Sequence, residues 1–270
     1  MAFSRKTTPR VPFPQWHRGC DAVFLMIVTF FGTKGGTGTT TLAVNCAADI
    51  QRVSNRPTLI VDAKQGPGDV SVFLGLRPRY TLVELIDSVG WSDRNLMGRF
   101  VAEHDCGLHL VAASEGFGRP NSRDAEAVDQ MLRAVSQMYE FVVVDAGCTL
   151  NSAAVSAMVL ADVVMLVANP DVPCLRNFQR LTDAIRLVGV PPERVRMALN
   201  RTSENGVLPI AQIEKVLGRT VDFRVLSDYR TVAAAINTGV PVYCLRSTEL
   251  HLQMDAMARA LVGRRFAAAS

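Results

Sequence analysis

The sequence predicts an α/β fold: a doubly wound, mostly parallel sheet with helices on both faces. Three observations carry that expectation. Short apolar runs alternate with longer amphipathic stretches from Val23 onward, the rhythm of repeated strand–helix units. The apolar runs are continuous and rich in Val, Leu and Ile, as strands covered on both faces require. A Gly/Thr-rich loop separates the first strand from the first long helix, and open α/β sheets bind anions at such a place.

Taken in order, residues 1–21 hold three prolines and four basic side chains with no helical or strand period, so they read as a flexible tail. Residues 22–270 read as one domain. Its expected strands are Phe24–Phe31, Thr58–Asp62, Leu108–Ala112, Phe141–Asp145, Val163–Ala168, Arg196–Asn200 and Val221–Leu226. The clearest helix is Arg123–Tyr139, where Ala125, Val128, Met131, Leu132, Val135 and Met138 form one stripe of 3.6-residue period. Asn121 or Ser122 is placed to cap it. Further helices are expected at Thr39–Val53, Asn151–Leu160, Leu175–Val188, Pro209–Leu217, Thr231–Thr238 and Thr248–Arg265. Asp228 suits the cap of the Thr231 helix better than a ligand pocket. In the last helix Leu250, Met254, Met257, Leu261 and Val262 share a face. Such a face either docks on the sheet or lies on a membrane. Docking is the expected use, because the fold needs a terminal packing helix and the polar face carries few lysines.

Composition narrows the classes. The chain has 270 residues, 49% hydrophobic and 20% charged, which suits a globular protein and not a disordered one. Six cysteines are scattered without a CxxC pair, against a zinc site or disulfide framework and in keeping with a reducing cytosol. Cys148 is the one to watch for redox sensitivity. Ala22–Phe31 follows a basic start like a signal peptide, but a strand feeding a phosphate loop explains both of its flanks. The formal charge is +4, with Arg5, Lys6, Arg10 and Arg18 in a first stretch of twenty residues that contains no acid. The rest is charge-balanced, which argues against a DNA-binding surface.

The chemistry is carried by Gly32-Thr33-Lys34-Gly35-Gly36-Thr37-Gly38-Thr39-Thr40-Thr41. Glycines let the backbone turn sharply and bring its N–H groups against an anion. The following helix adds its positive end. Thr40 is placed to offer a hydroxyl to magnesium. In the ordinary pattern GxxxxGK[ST], Thr33 stands at the first glycine and Thr39 at the lysine.

KGGTGTTTLAVNCA resembles the deviant Walker A motif of the MinD/ParA-type P-loop ATPases. LIVDAKQGPGD (Leu59–Asp69) is similar to the family's DxDxQxGD stretch, FVVVDAG (Phe141–Gly147) to Walker B, and LNR (Leu199–Arg201) to its adenine-reading strand end. The resemblance spans about Val23–Val242. It implies ATP and Mg2+ as cofactors and a homodimer that ATP favours. Lys34 would be the signature lysine that reaches the partner's nucleotide, and Asp62 would act beside it in catalysis. Gly35, Gly36, Thr37, Gly38, Thr39, Thr40 and Thr41 would hold the phosphates, Asn200 and Arg201 the base, and Thr40 and Asp145 the metal. The segments GDVSVFLGLRPRYTLVELI, NPDVPCLRNFQRL, VPPERVRMALNR and TVAAAINTGVPV are similar to the CpaE/TadZ proteins of Tad (Flp) pilus assembly. That subgroup implies pilus or secretion machinery as partner, in the cytoplasm, at the inner membrane or a cell pole.

Two departures matter. Thr39 for lysine removes a charge-assisted hydrogen bond of about 1.5–3 kcal/mol, roughly 10–150-fold in affinity, and weakens hydrolysis further by withdrawing charge from the phosphoryl oxygens. Lys64 stands where the family usually has an acid, and it either compensates for Thr39 or is merely solvated. The resulting expectation is an ATP-binding dimer switch with slow or no hydrolysis. A nucleotide-independent scaffold, a ParA-like partition protein and a MinD- or FlhG-like positioning protein are the alternatives.

Overall fold

Helical crossovers join most of the strands, and a helical crossover returns the chain to the same end of the sheet, so parallel pairing follows. The computed structural model describes residues 26–64, 66–88, 94–114, 124–204, 206–245 and 248–268. In chain order these form β1 (Met26–Gly32), α1 (Thr39–Ser54), β2 (Thr58–Asp62), α2 (Val70–Phe73), α3 (Leu82–Asp87), α4 (Arg94–Phe100), β3 (Ala102–Glu103) and β4 (His109–Val111). They continue with α5 (Asp124–Val135), β5 (Phe141–Asp145), α6 (Ser152–Leu160), β6 (Val163–Ala168) and α7 (Val172–Leu187). The last are β7 (Val195–Thr202), α8 (Ile210–Leu217), β8 (Phe223–Leu226), α9 (Tyr229–Thr238) and α10 (Glu249–Ala268). The sheet order is β3-β4-β2-β5-β1-β6-β7-β8. Its pairs are parallel except β3 with β4.

Alternate residues of the central strands feed two separate cores, because successive side chains point to opposite faces. Ile27, Phe31, Val142 and Val144 pack against Val128, Met131 and Leu132 of α5, Ala157 of α6 and Phe178 of α7. Met26, Val28, Phe30 and Val143 pack against Leu42 and Ile50 of α1 and Met254 and Leu261 of α10. Each such large side chain, once buried, contributes roughly 1.5–3 kcal/mol. The one polar residue within β1, Thr29, is fully buried and satisfied, donating to the Ala157 carbonyl at 2.9 Å. β1 thus lies between β5 and β6 and opens into the Gly/Thr loop at its C-terminal end.

The C-terminal stripe is docked. Leu250, Met254, Met257, Leu261 and Val262 are all buried against the sheet and α1, so that face is not offered to a membrane. Among the described residues, no helix is long and apolar enough to cross a membrane. An ionic clamp fixes α10 on α1. Arg52 donates to Asp49 Oδ1 through Nε (3.0 Å) and Nη2 (2.8 Å), and Nη2 also reaches Asp255. Asp255 accepts in turn from Arg259 Nε at 2.7 Å. The Arg52 guanidinium lies 5.2 Å over the Tyr243 ring. Asp49 is 1% exposed, and burial pushes its carboxyl pKa up against the pull of Arg52.

Strand existence follows the sequence closely, and the differences have local causes. β2, β5 and β6 have the expected bounds. β7 runs longer, to Thr202, through a register irregularity after Leu199. α5 ends at Val135, not Tyr139, and closes in tight turns: the Met138 and Tyr139 amides both donate to the Val135 carbonyl. α7 starts three residues early because Asp171 caps it and Pro173 suits the first turn. Asp228 is the cap of α9, accepting from Thr231 N–H at 3.0 Å and Thr231 Oγ1 at 2.6 Å. Short α2, α3, α4 and the two-residue β3 carry too few residues for a readable period. The expected tail, residues 1–21, and the caps Asn121 and Ser122 lie outside the described residues.

Arg52→Ala strands a buried carboxylate, although Arg52 is itself about a third exposed and so partly screened. The expected loss is about 2 kcal/mol, or a thermal midpoint lower by roughly 4–8 °C. Arg52→Lys recovers part of it. A melt within a degree of wild type would show that Asp49 is satisfied without the clamp.

Candidate functional site

The loop after β1 is anchored from below. Gly32 N–H donates to the Gly147 carbonyl (2.8 Å) and Thr33 N–H to the Val167 carbonyl (2.9 Å). Asn177 Nδ2 donates to the Thr33 carbonyl at 3.0 Å. Gly36 and Gly38 have φ of +80° and +88°, conformations that favour glycine. At Gly38 a side chain is excluded twice, since a Cβ there would stand 2.3 Å from Asn200 Nδ2. At Gly35 and Gly36 a Cβ would meet nothing within 4 Å, so the rim of the loop faces open space. Gly38 caps α1 without a side-chain hydrogen bond, which leaves the first-turn amides of a sixteen-residue helix free for an anion.

The threonines divide by direction. Thr37 and Thr39 are buried and their hydroxyls hydrogen-bond each other at 3.1 Å. Thr37 Oγ1 also donates to the Lys34 carbonyl at 3.1 Å. A Cβ on Gly32 would lie 2.4 Å from Thr39 Oγ1. Thr39 therefore braces the loop from inside and projects no polar group from its rim. Thr40 turns the other way and donates to Asp145 Oδ2 at 2.6 Å. Thr41 is half-buried, and its carbonyl accepts from Asn45 Nδ2 at 2.8 Å.

Two carboxylates meet at the strand ends. Asp62 and Asp145 are register partners in β2 and β5 and are 1% and 0% exposed. Gly147 N–H donates to Asp145 Oδ1 at 3.1 Å. Asp62 accepts from Val70 N–H (3.2 Å) and Lys64 N–H (3.3 Å), and Gly68 is bare because a Cβ would stand 2.2 Å from Asp62 Oδ2. Burial, then the charge of Asp145, pushes Asp62 up to about 7. Burial raises Asp145 as well, against the opposing pull of Thr40 and Gly147. Two buried carboxylates beside a hydroxyl form an all-oxygen set that suits a hard divalent cation such as Mg2+. Thr40 and Asp145 would hold it, and when bound it would neutralise phosphate charge.

The remaining expected residues are more scattered. Asn200 is buried and its Nδ2 donates to the Thr37 carbonyl at 2.8 Å, so it supports the loop directly. Arg201 is exposed at φ +56°, in the irregular stretch where β7 loses register with β8. Lys34 Nζ is paired with Asp171 Oδ2 at 3.0 Å within its own chain. Asp171 Oδ1 meanwhile accepts Cys174 N–H at 2.9 Å as the cap of α7. Sequence reading missed Asp171, Asn177 and Asp69, the last paired with Lys64. The Asp-Val-Pro start of α7 was the available signal for the first. No local signal marks Asn177, whose bond crosses 144 residues. Cys148 is exposed, whereas Cys46 and Cys174 are buried.

A phosphate loop leading from a central parallel strand, with a carboxylate pair at the strand ends, defines a P-loop nucleotide-binding protein. Residues 25–194 match a family described as an AAA domain, and the chain belongs to that family. Its homology is to the MinD/ParA deviant-Walker-A P-loop ATPases, which bind ATP and Mg2+. It is 21% identical over 246 residues to the septum site-determining protein MinD of Thermotoga maritima, covering 88% of each chain. It superposes on a ParA family ATPase from Chlorobium tepidum with a TM-score of 0.81 at 22% identity, covering 88% of this chain and 99% of that one. MinD of Pyrococcus horikoshii complexed with Mg-ADP gives 0.73 at 19% identity, over 89% and 98%.

Asp62 yields a pH test. Folded, it holds its proton to about 7, against an ordinary 3.8. Between those values the native state binds more protons than the unfolded one, so this contribution is present at low pH and lost as pH rises. In metal-free protein the thermal midpoint of wild type minus that of Asp62→Asn should fall from about pH 5 to about pH 7 and then level off. A difference that stays flat from about pH 5 to about pH 7 would mean that folded Asp62 is already ionised there, as it is in the unfolded chain.

Proposed function

We propose that this chain is an ATP-dependent positioning switch of the MinD/ParA type, in which nucleotide sets the balance between monomer and homodimer. The observation that carries the reading is the Thr40–Asp145 contact at 2.6 Å beneath an open glycine rim, because it brings the loop hydroxyl and the strand-end carboxylate to one metal-sized place. The Gly35–Thr41 backbone would hold the phosphates, with Asn200 bracing it and Arg201 at the base-binding edge. Asp62 would orient water near the terminal phosphate. Lys34 sits at the rim in an ion pair whose two sides are 39% and 37% exposed. An ion pair this open to water is held weakly, so Lys34 can leave it for the nucleotide of a second subunit. The inward turn of Thr39 supports slow hydrolysis, since no cation stands at the position where a P-loop normally places its lysine.

The similarity to MinD and ParA proteins supports positioning or partitioning of a cellular component as the role. The four CpaE/TadZ-like segments support a narrower second reading, in which the component is a pilus or secretion assembly at the inner membrane. The charge-balanced body supports a protein partner over DNA, and the buried α10 stripe supports a cytoplasmic protein recruited through that partner.

Light scattering after gel filtration tests the switch. With Mg2+ and ATP the mass should double relative to ADP, and Lys34→Ala should stay monomeric in both while binding ADP normally. A mass that ignores nucleotide would leave the scaffold reading in its place.

A further inference from the structure

The buried turn of Thr39 raises the question of which cation meets the terminal phosphate, and Lys64, beyond the end of β2, is the candidate beside the loop. Lys64 lies two residues past β2, whose last residue, Asp62, is in register with Asp145. Its stem lies against Gly147: a Cβ built there would be 3.2 Å from Lys64 Cγ. Gly147 in turn holds the start of the phosphate loop, accepting from Gly32 N–H at 2.8 Å, and adopts φ +66° to do so without a side chain. One glycine thus separates the lysine stem from the loop. Lys64 Nζ is held by Asp69 Oδ2 at 2.5 Å, and Asp69 is half exposed at its side chain. A water-facing partner releases a lysine readily, and four methylenes give it reach.

We propose that Lys64 supplies from the end of β2 the positive charge that Thr39 does not supply from the loop, contacting the terminal phosphate of a bound nucleoside triphosphate. This deepens the nucleotide-switch reading and rests on it. Asp69 parks the ammonium while the phosphate is absent, and the neighbouring Asp62 and Asp145 charges keep it at the sheet end. A lysine that merely balanced these carboxylates would leave triphosphate and diphosphate equally affected by its removal. A lysine reading the terminal phosphate discriminates between them.

Calorimetric titration of the full chain with Mg2+ and either a non-hydrolysable ATP analogue or ADP separates the two. Lys64→Ala should weaken the triphosphate at least tenfold and ADP by less than threefold, a gap set by one charge-assisted contact. Lys64→Arg should keep most of the preference. Thr39→Lys placed in the Lys64→Ala background should restore it, because either residue then serves the same charge. Equal weakening of both nucleotides, or of neither, overturns the proposal. Wild type that binds neither nucleotide overturns the switch reading itself, a different and recognisable result. Lys64→Gln, which keeps the stem against Gly147, checks that the loss follows charge and not packing.

Discussion

The site depends on the crowding of two carboxylates. Asp62 and Asp145 end neighbouring strands in register, sealed from water, so neither can ionise freely beside the other. Much of the surrounding structure answers this strain. Gly147 and Val70 donate backbone N–H groups, Thr40 donates its hydroxyl, and Gly68 is small because Asp62 fills its side-chain space. The arrangement is under-neutralised as it stands, which is the condition in which a hard cation has most to contribute.

The fold was legible because its strands are buried on both faces and announce themselves as continuous apolar runs. Phe141–Asp145 and Val163–Ala168 needed no context to be found. The loop, too, was legible, since glycine spacing before a helix has few other uses. Direction was not legible. The motif marks Thr40 for its hydroxyl, but nothing local shows that Thr39 turns inward toward Thr37; that turn depends on the helical rotation between adjacent residues and on the missing side chain at Gly32. Nor could sequence show that Lys34 rests on Asp171 or that Asn200 holds the Thr37 carbonyl, because these bonds join residues 137 and 163 apart.

The same physics settles the use of the last helix. Its apolar stripe is equally suited to lipid or to a protein core, and amphipathicity alone cannot choose. The core chooses, through Met254, Met257 and Leu261 beneath the sheet and through the Arg52 clamp at the rim. Because α1 carries the phosphate loop at one end and Arg52 in its last turn, the clamp also fixes the element from which the loop projects.

Asp171 carries a further consequence. One of its oxygens caps the start of α7 and the other holds Lys34. The two duties lie on separate atoms of one side chain, so surrendering the lysine leaves the helix start intact. In the switch proposed above, Lys34 would thus move against a fixed helix start, and passage between occupied and vacant states would require no segment to refold.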